Sequence, residues 1–221
     1  MTNQTRVIVY RHAQSTANAG LATDTPGGVP LTKLGVQQAK CLARSIKEPP
    51  TMFITSPYLR AVQTAAYVRA RFPDVPCEEW PIQEFTCLSP EACRGTTKDQ
   101  RARALQAFWD TYDPRHKEPG AESFAEFIGR VQAMITRLEM LADERESSNV
   151  CVFGHGNFIR ALAWCLLMNP EPESLGAMHA FRSFSQMFDV ANGSALPLLH
   201  DGRWYVGTLA TGHLPRGIVT F

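Results

Sequence analysis

The chain has 221 residues and carries 22 Lys and Arg against 21 Asp and Glu, a formal net charge of +1. With 44% hydrophobic and 19% charged residues, it has the apolar surface to bury a core, which excludes a disordered chain. The charge balance also excludes binding to nucleic acid or an anionic membrane through bulk positive charge. Any anion the protein handles is therefore held by a local cluster. The first residues are polar and lead directly into an apolar stretch of strand length, without the basic-then-apolar layout of a secretory signal. The longest uninterrupted apolar run, residues 161–168, falls far short of the ~18 residues that suggest a membrane span. These features predict a cytoplasmic protein with no membrane and no nucleic-acid partner. Six cysteines form no Cys-x-x-Cys pair, and Cys151 and Cys165 sit in apolar segments, so neither a zinc site nor a disulfide framework is expected.

In chain order, residues 6–10 read as a buried strand. Leu31, Leu34, Gln38, Leu42 and Ile46 then recur at helical spacing behind Thr32, a capping residue. Residues 52–55 predict a second strand and residues 59–72 a second helix. Prolines at 73, 76, 81 and 90 argue against a long helix through that stretch. A helix is predicted over residues 99–112, with Leu105, Phe108, Trp109 and Tyr112 as one apolar stripe. Ser123 and Glu126 have the spacing of a capping box, followed on one face by Phe127, Ile128, Val131, Ile135 and Leu138. Residues 149–153 read as a strand and 158–168 as a helix. Residues 185–190 and 196–209 predict strands, with Asp201-Gly202 as a hairpin turn. No repeat, low-complexity tract or composition break interrupts the chain. The alternation predicts an α/β fold, a three-layer α/β/α sandwich around a mostly parallel sheet, as one domain over residues 1–221.

Three polar clusters follow directly on predicted strands: Arg11-His12, Ser56 to Arg60, and Gly154-His155-Gly156. Ligands of open α/β sheets bind outside the carboxyl ends of the strands, so these loops have the placement to converge on one pocket. Two guanidiniums suit the tetrahedral dianion of a phosphate monoester, which they bind through charge-assisted, bidentate hydrogen bonds. Taken singly, each residue also has an ordinary structural reading, as a hydrogen-bonding His, a capping Arg or a turn Gly.

The run Arg11-His12-Ala13-x-Ser15-x-x-Asn18 resembles the Arg-His-Gly-x-Ser-x-x-Asn signature of the histidine phosphatase (phosphoglycerate mutase-like) superfamily. The resemblance continues in order through Leu31-Thr32-x-x-Gly35-x-x-Gln38-Ala39 and Ser56-Pro57-x-x-Arg60-Ala61-x-Gln63-Thr64-Ala65. It goes on through Glu84, Glu122-Ser123, Gly154-His155-Gly156-Asn157-x-x-Arg160-Ala161 and His213-Leu214. It implies that His12 is a nucleophile that becomes phosphohistidine, with Arg11 and Arg60 clamping the phosphoryl oxygens and His155 donating a further hydrogen bond. Glu84 matches the proton donor to the leaving oxygen. Ser15, Asn18 and Asn157 match positions that line the phosphate pocket, and the closing His213-Leu214 is read as structural. Residues 85–119 fall where such proteins place an insertion that caps the pocket, and here they carry Arg94, Lys98, Arg101 and Arg103.

This chain departs from the pattern at Ala13, where the family usually has Gly. It also lacks groups that phosphoglycerate mutases carry: Ala17 stands in place of a Trp, Cys87 in place of a Tyr, and Trp109 and Asp110 in place of an Arg pair. An Asp there repels the anionic groups of a mutase substrate. The reading is a metal-independent, cofactor-free phosphomonoester hydrolase acting on a small phosphorylated substrate. The alternatives are a mutase-type phosphotransferase and a catalytically inactive module that binds phosphorylated ligands. A metal-dependent phosphatase is disfavoured because no Asp/His cluster has ligand-like spacing.

Overall fold

A computed structural model describes residues 4–144, 147–174 and 176–221, so the polar start at residues 1–3 lies outside the described residues. The elements run β1 (Gln4–Arg11), α1 (Lys33–Ser45), β2 (Met52–Thr55), α2 (Leu59–Arg69), β3 (Cys77–Glu79), α3 (Pro90–Cys93) and α4 (Ala102–Asp110). They continue with α5 (Phe124–Glu144), β4 (Ser147–Gly154), α6 (Gly156–Met168), α7 (Ala177–Met187), β5 (Ala195–His200) and β6 (Trp204–Val206). One six-stranded sheet has the order β3-β2-β4-β1-β5-β6. The pairs β2–β3, β2–β4 and β1–β4 are parallel, while β1–β5 and β5–β6 are antiparallel.

Alternation along the strands assigns the two faces of this sheet. Val7, Val9, Met52, Ile54, Val150 and Val152 face α5, α6 and α7 in the larger core, which includes Phe124, Phe127, Phe158, Trp164 and Phe181. Their neighbours Tyr10, Phe53, Cys151 and Phe153 face the other way, onto Leu42, Ala43, Ala65 and Val68 of α1 and α2. Apolar residues on both faces of the central strands are what a sheet covered on both sides requires. The predicted sandwich is thus present. α5 opens with a reciprocal cap, in which Ser123 N–H donates to Glu126 Oε2 (2.9 Å) and Glu126 N–H to Ser123 Oγ (3.1 Å). Among the described residues no helix is long and apolar enough to cross a membrane.

Two expectations need correcting. Residues 185–190 are not a strand: they are the last turn of α7 and an irregular segment after it. Phe181 packs against Phe124, Phe127 and Trp164, which selects the helix. Beyond it, the Phe188 and Val190 carbonyls accept from Arg160 and Arg11, so this backbone serves side chains and not a ladder. The helix predicted over 99–112 is shorter, and its stripe is not one buried face. Phe108 is buried, but Leu105 and Tyr112 are 36% and 49% exposed, and Tyr112 leaves the helix with φ of 51°. The cause is that α4 borders a cavity, which Leu105 and Trp109 line.

The start of α1 props up the loop that follows β1. Thr32 Oγ1 caps the helix by accepting from Gly35 N–H at 2.9 Å, and Thr32 N–H donates to the Gln14 carbonyl at 3.0 Å. Gln38, fully buried, accepts from Gln14 N–H at 2.7 Å and donates to the Ile218 carbonyl at 2.6 Å. Helix and loop come so close at Gly35 that a Cβ there would stand 2.0 Å from the Gln14 carbonyl oxygen. Gly35→Ala should therefore push the Gln14 loop away and destabilise the fold by about 1–3 kcal/mol. A urea unfolding midpoint unchanged from wild type would show that the approach is looser than described.

Candidate active site

The carboxyl ends of the four parallel strands gather the polar residues. β1 delivers Arg11 and His12, β2 delivers Ser56 to Arg60, the segment after β3 delivers Glu84, and the β4–α6 junction delivers His155 and Asn157. A cavity of about 540 Å³ opens there, lined by Arg11, His12, Ser15, Asn18, Arg60, Glu84 and Asn157. Seven of the eight site residues expected from the sequence thus share one wall. His155 stands behind it, wholly buried, its ring 5.2 Å from that of His12 and 5.3 Å from that of Tyr58.

The hydrogen bonds of His12 fix its tautomer. The Ala13 carbonyl, 2.7 Å from Nδ1, can only accept, so Nδ1 carries the proton. Arg60 Nε–H, 3.1 Å from Nε2, can only donate, so Nε2 carries the lone pair. Burial, then the charges of Arg60 and Arg11, hold His12 far below the ordinary imidazole range despite the Ala13 bond. It is a neutral ring on the cavity wall whose Nε2 lone pair accepts from Arg60. Ala13 itself is wholly buried and is not among the residues with positive φ. The methyl at this position therefore meets no left-handed backbone strain.

The guanidiniums are buried too. Burial pushes Arg11 down to about 10, partly offset by Glu84, and lowers Arg60 with the same partial offset. Both stay charged at neutral pH. Arg11 Nη1 donates to the Val190 carbonyl, while its Nε is buried without a partner among the described residues. Arg60 Nη1 donates to the Pro26 carbonyl at 2.7 Å, and its guanidinium lies 4.9 Å from the Tyr58 ring centre. His155 Nε2 pairs with Ser56 Oγ at 2.7 Å, and its Nδ1 is also buried and unpartnered. Buried polar atoms without a partner are uncommon, and Arg11 Nε, on a residue that lines the cavity, is a donor available to a ligand. Asn18 Oδ1 accepts from Ser15 N–H and Oγ–H at 3.1 and 2.8 Å, which leaves its NH2 group to serve a ligand.

Glu84 faces these cations across the cavity. Its carboxylate accepts from Asn157 N–H, in the first turn of α6, at 3.1 and 3.2 Å. A carboxylate is well placed at a helix N-terminus. Several participants carried little signal in the sequence. Arg160, inside a motif but without an assigned role, donates from Nε to the Phe188 carbonyl. Thr64 Oγ1 accepts from Ala13 N–H at 3.0 Å. Gly193, at φ of 72°, donates to the His12 carbonyl at 3.2 Å. The Gly193 carbonyl in turn accepts from His213 Nε2 at 2.8 Å, so the closing His-Leu supports the His12 backbone. Of the cations in residues 85–119, Lys98 and Arg101 line the cavity while Arg94 and Arg103 do not. Arg182 of α7 joins them there, with nothing in the sequence to announce it.

Residues 7–186 match the histidine phosphatase superfamily (branch 1). The chain belongs to that family. A curated relative, "Putative phosphoserine phosphatase 2" of Hydrogenobacter thermophilus, is 27% identical over 177 residues, 79% of this chain and 84% of the relative. Among solved structures, a phosphoserine phosphatase of Entamoeba histolytica superposes with a TM-score of 0.71 at 20% identity, covering 96% of this chain and 100% of that one. An alpha-ribazole phosphatase of Shigella flexneri gives 0.72 at 18% identity, covering 93% and 96%. A mycobacterial glucosyl-3-phosphoglycerate phosphatase gives 0.70 at 23%, covering 93% and 98%. These likenesses share the fold.

The two buried imidazoles make a stability prediction. Burial, followed by Arg60, depresses His155 as it does His12. As pH falls below the unfolded value of about 6.5, the unfolded chain takes up protons that the folded chain refuses. Their contribution, full above that pH, is lost on acidification by up to ~1.4 kcal/mol per pH unit for each ring. His12→Asn should flatten the fall in unfolding free energy between neutral pH and pH 5. Identical slopes in both proteins would show that His12 does not resist protonation.

Proposed function

We propose that this protein is a metal-independent phosphomonoester hydrolase that works through a phosphohistidine on His12. The observation that carries the reading is the fixed His12 tautomer, with Arg60 Nε–H on the Nε2 lone pair and buried Arg11 lining the same cavity. In the first half-reaction the lone pair attacks phosphorus, the bond to the ester oxygen breaks, and Glu84 gives that oxygen its proton. In the second, water attacks phosphorus, Glu84 takes the water's proton, and the P–N bond breaks to release phosphate and neutral His12. Throughout, Nδ1–H stays on the Ala13 carbonyl, which accepts more strongly while the ring is cationic. Arg11 and Arg60 hold the equatorial oxygens, where charge spreads in the transition state. The unpartnered Arg11 Nε–H is a donor such an oxyanion would satisfy, and His155 Nδ1 would be a second one in the tautomer where Ser56 Oγ–H donates to Nε2.

Hydrolysis is favoured over mutase chemistry by what lines the cavity. Ala17, Cys87 and Trp109, which replace the anion-holding groups of mutases, are all on its wall. Asp110 is turned to Arg182 and Gln106. An inactive binding module is disfavoured because the nucleophile, clamp and acid are all in place. The substrate is a small phosphomonoester. Phosphoserine, named for the relative and bound in one Entamoeba histolytica structure, has the right size and chemistry. Lys98, exposed at the cavity, has no side-chain partner among the described residues and suits a second acidic group on such a substrate. Lys98→Ala should raise KM for a carboxylate-bearing phosphomonoester roughly two- to fivefold, with little change for an uncharged aryl ester.

The proposal is tested with an aryl phosphate, with and without chelator, on wild type and His12→Ala. Chelator-resistant turnover that the variant lacks, with an acid-labile, alkali-stable phosphoryl adduct in quenched wild type, is the expected result. Loss of activity in chelator, or turnover without any trapped adduct, would overturn it.

A further inference from the structure

Glu84 stands on an irregular segment after β3, and an acid that must meet one ester oxygen needs its backbone held. Arg130 of α5 does this from one side. Its Nη1 donates to the Pro81 carbonyl at 2.7 Å and the Gln83 carbonyl at 3.3 Å, and its Nη2 to Gln83 at 3.3 Å. No other described group donates to those two carbonyls. The guanidinium is itself fixed by Glu122, whose carboxylate accepts from Nε at 2.5 Å and Nη2 at 2.8 Å. It also lies 5.6 Å from the ring centres of Phe127 and Phe158. On the other side of Glu84, Glu122 N–H donates to the Thr86 carbonyl at 2.8 Å. The pair thus grips the chain on both flanks of Glu84, while the Glu84 carboxylate accepts from Phe85 N–H at 3.0 Å and Asn157 N–H at 3.1 Å.

Resting on the hydrolase reading above, we infer that the Glu122–Arg130 pair is a positioning device for Glu84. It sets where the acid stands and touches no reacting atom. The forked geometry explains why an Arg is used, since one flat group satisfies a carboxylate and two carbonyls together. The pair borders a separate cavity of about 390 Å³, whose wall also includes Gln83 and Glu84. Its side chains are 22% and 18% exposed, so it is not sealed into the core and polar replacements there can be hydrated.

Single-turnover phosphorylation of His12 separates this role from a general loss of structure. Glycerol phosphate has an alkoxide leaving group that needs a proton; dinitrophenyl phosphate does not. Arg130→Gln should slow phosphorylation by glycerol phosphate on the order of ten- to hundredfold, part of what a positioned acid contributes. KM should hold, and the dinitrophenyl ester should react at close to the wild-type rate. In a Glu84→Gln background the same change should cost nothing more, because the acid it serves is gone. Arg130→Lys, which keeps charge without the fork, should not rescue, and Glu122→Gln should reproduce the ester selectivity if Arg130→Gln fails to fold. Equal losses on both esters, or losses that multiply with Glu84→Gln, would overturn the inference and leave the hydrolase reading standing. Absence of any His12 adduct in wild type would instead overturn that reading.

Discussion

Two guanidiniums, an imidazole and a carboxylate share one pocket, and the positive charges outnumber the negative one. In that setting the imidazole cannot afford a proton. Burial and its cationic neighbours both oppose protonation, and the Ala13 carbonyl decides which nitrogen keeps the one hydrogen. A nucleophilic nitrogen is thereby produced without a dedicated general base beside it. The arrangement carries a cost in unpartnered polar atoms at Arg11 Nε and His155 Nδ1, each worth on the order of 1–3 kcal/mol when buried. The rest of the fold has to hold these groups together against that cost.

Most of that support comes from far along the chain. Gln38 links the Gln14 backbone to the Ile218 carbonyl and to Thr220. Asn192 N–H donates to the Thr220 carbonyl at 2.8 Å, and Gly193 reaches the His12 carbonyl. The last residues of the chain are therefore tied, through two short relays, to the loop that carries the nucleophile. The antiparallel edge serves the same end. β5 pairs with β1 over residues 5–10, and Ser194, just before it, accepts from Arg11 N–H at 3.0 Å. A purely parallel sheet would have left that flank of β1 open.

How much of this could be read in advance depended on how local the cause was. Alternation, capping and helical spacing are local, and they located β1, β2, β4, α1, α2, α5 and α6. The ordered motifs picked out His12, Arg11, Arg60 and Glu84, which the fold brings to one cavity, because each sits within a few residues of a strand end. What escaped was set by packing or by distant partners. The last turn of α7 reads as an alternating strand until Phe181 meets Phe124 and Trp164. α4 reads as a buried stripe until it is seen beside a cavity. The three-residue β3 is too short to show a period. Arg182 and Arg130 carry no pattern at all, since their roles depend on carbonyls and carboxylates that only the folded chain brings near. The signal nearest to Arg130 was Glu122, present in a motif but silent about its partner.

The bond from Arg60 Nε–H to His12 Nε2 adds a last constraint, because it occupies the lone pair that the proposed reaction needs. A neutral imidazole nitrogen is a weaker partner for a guanidinium than a phosphoryl oxyanion, which forms shorter, charge-assisted bonds. An arriving phosphoryl group therefore draws that N–H away by offering it a better acceptor. The rest of the side chain need not leave with it, since Nη1 is held by the Pro26 carbonyl and the plane rests near Tyr58. In the proposed reaction the same guanidinium that covers His12 Nε2 then grips the phosphoryl group. Binding and exposure of the lone pair become one event. That coupling keeps the nitrogen covered until a phosphoryl group is there to receive it.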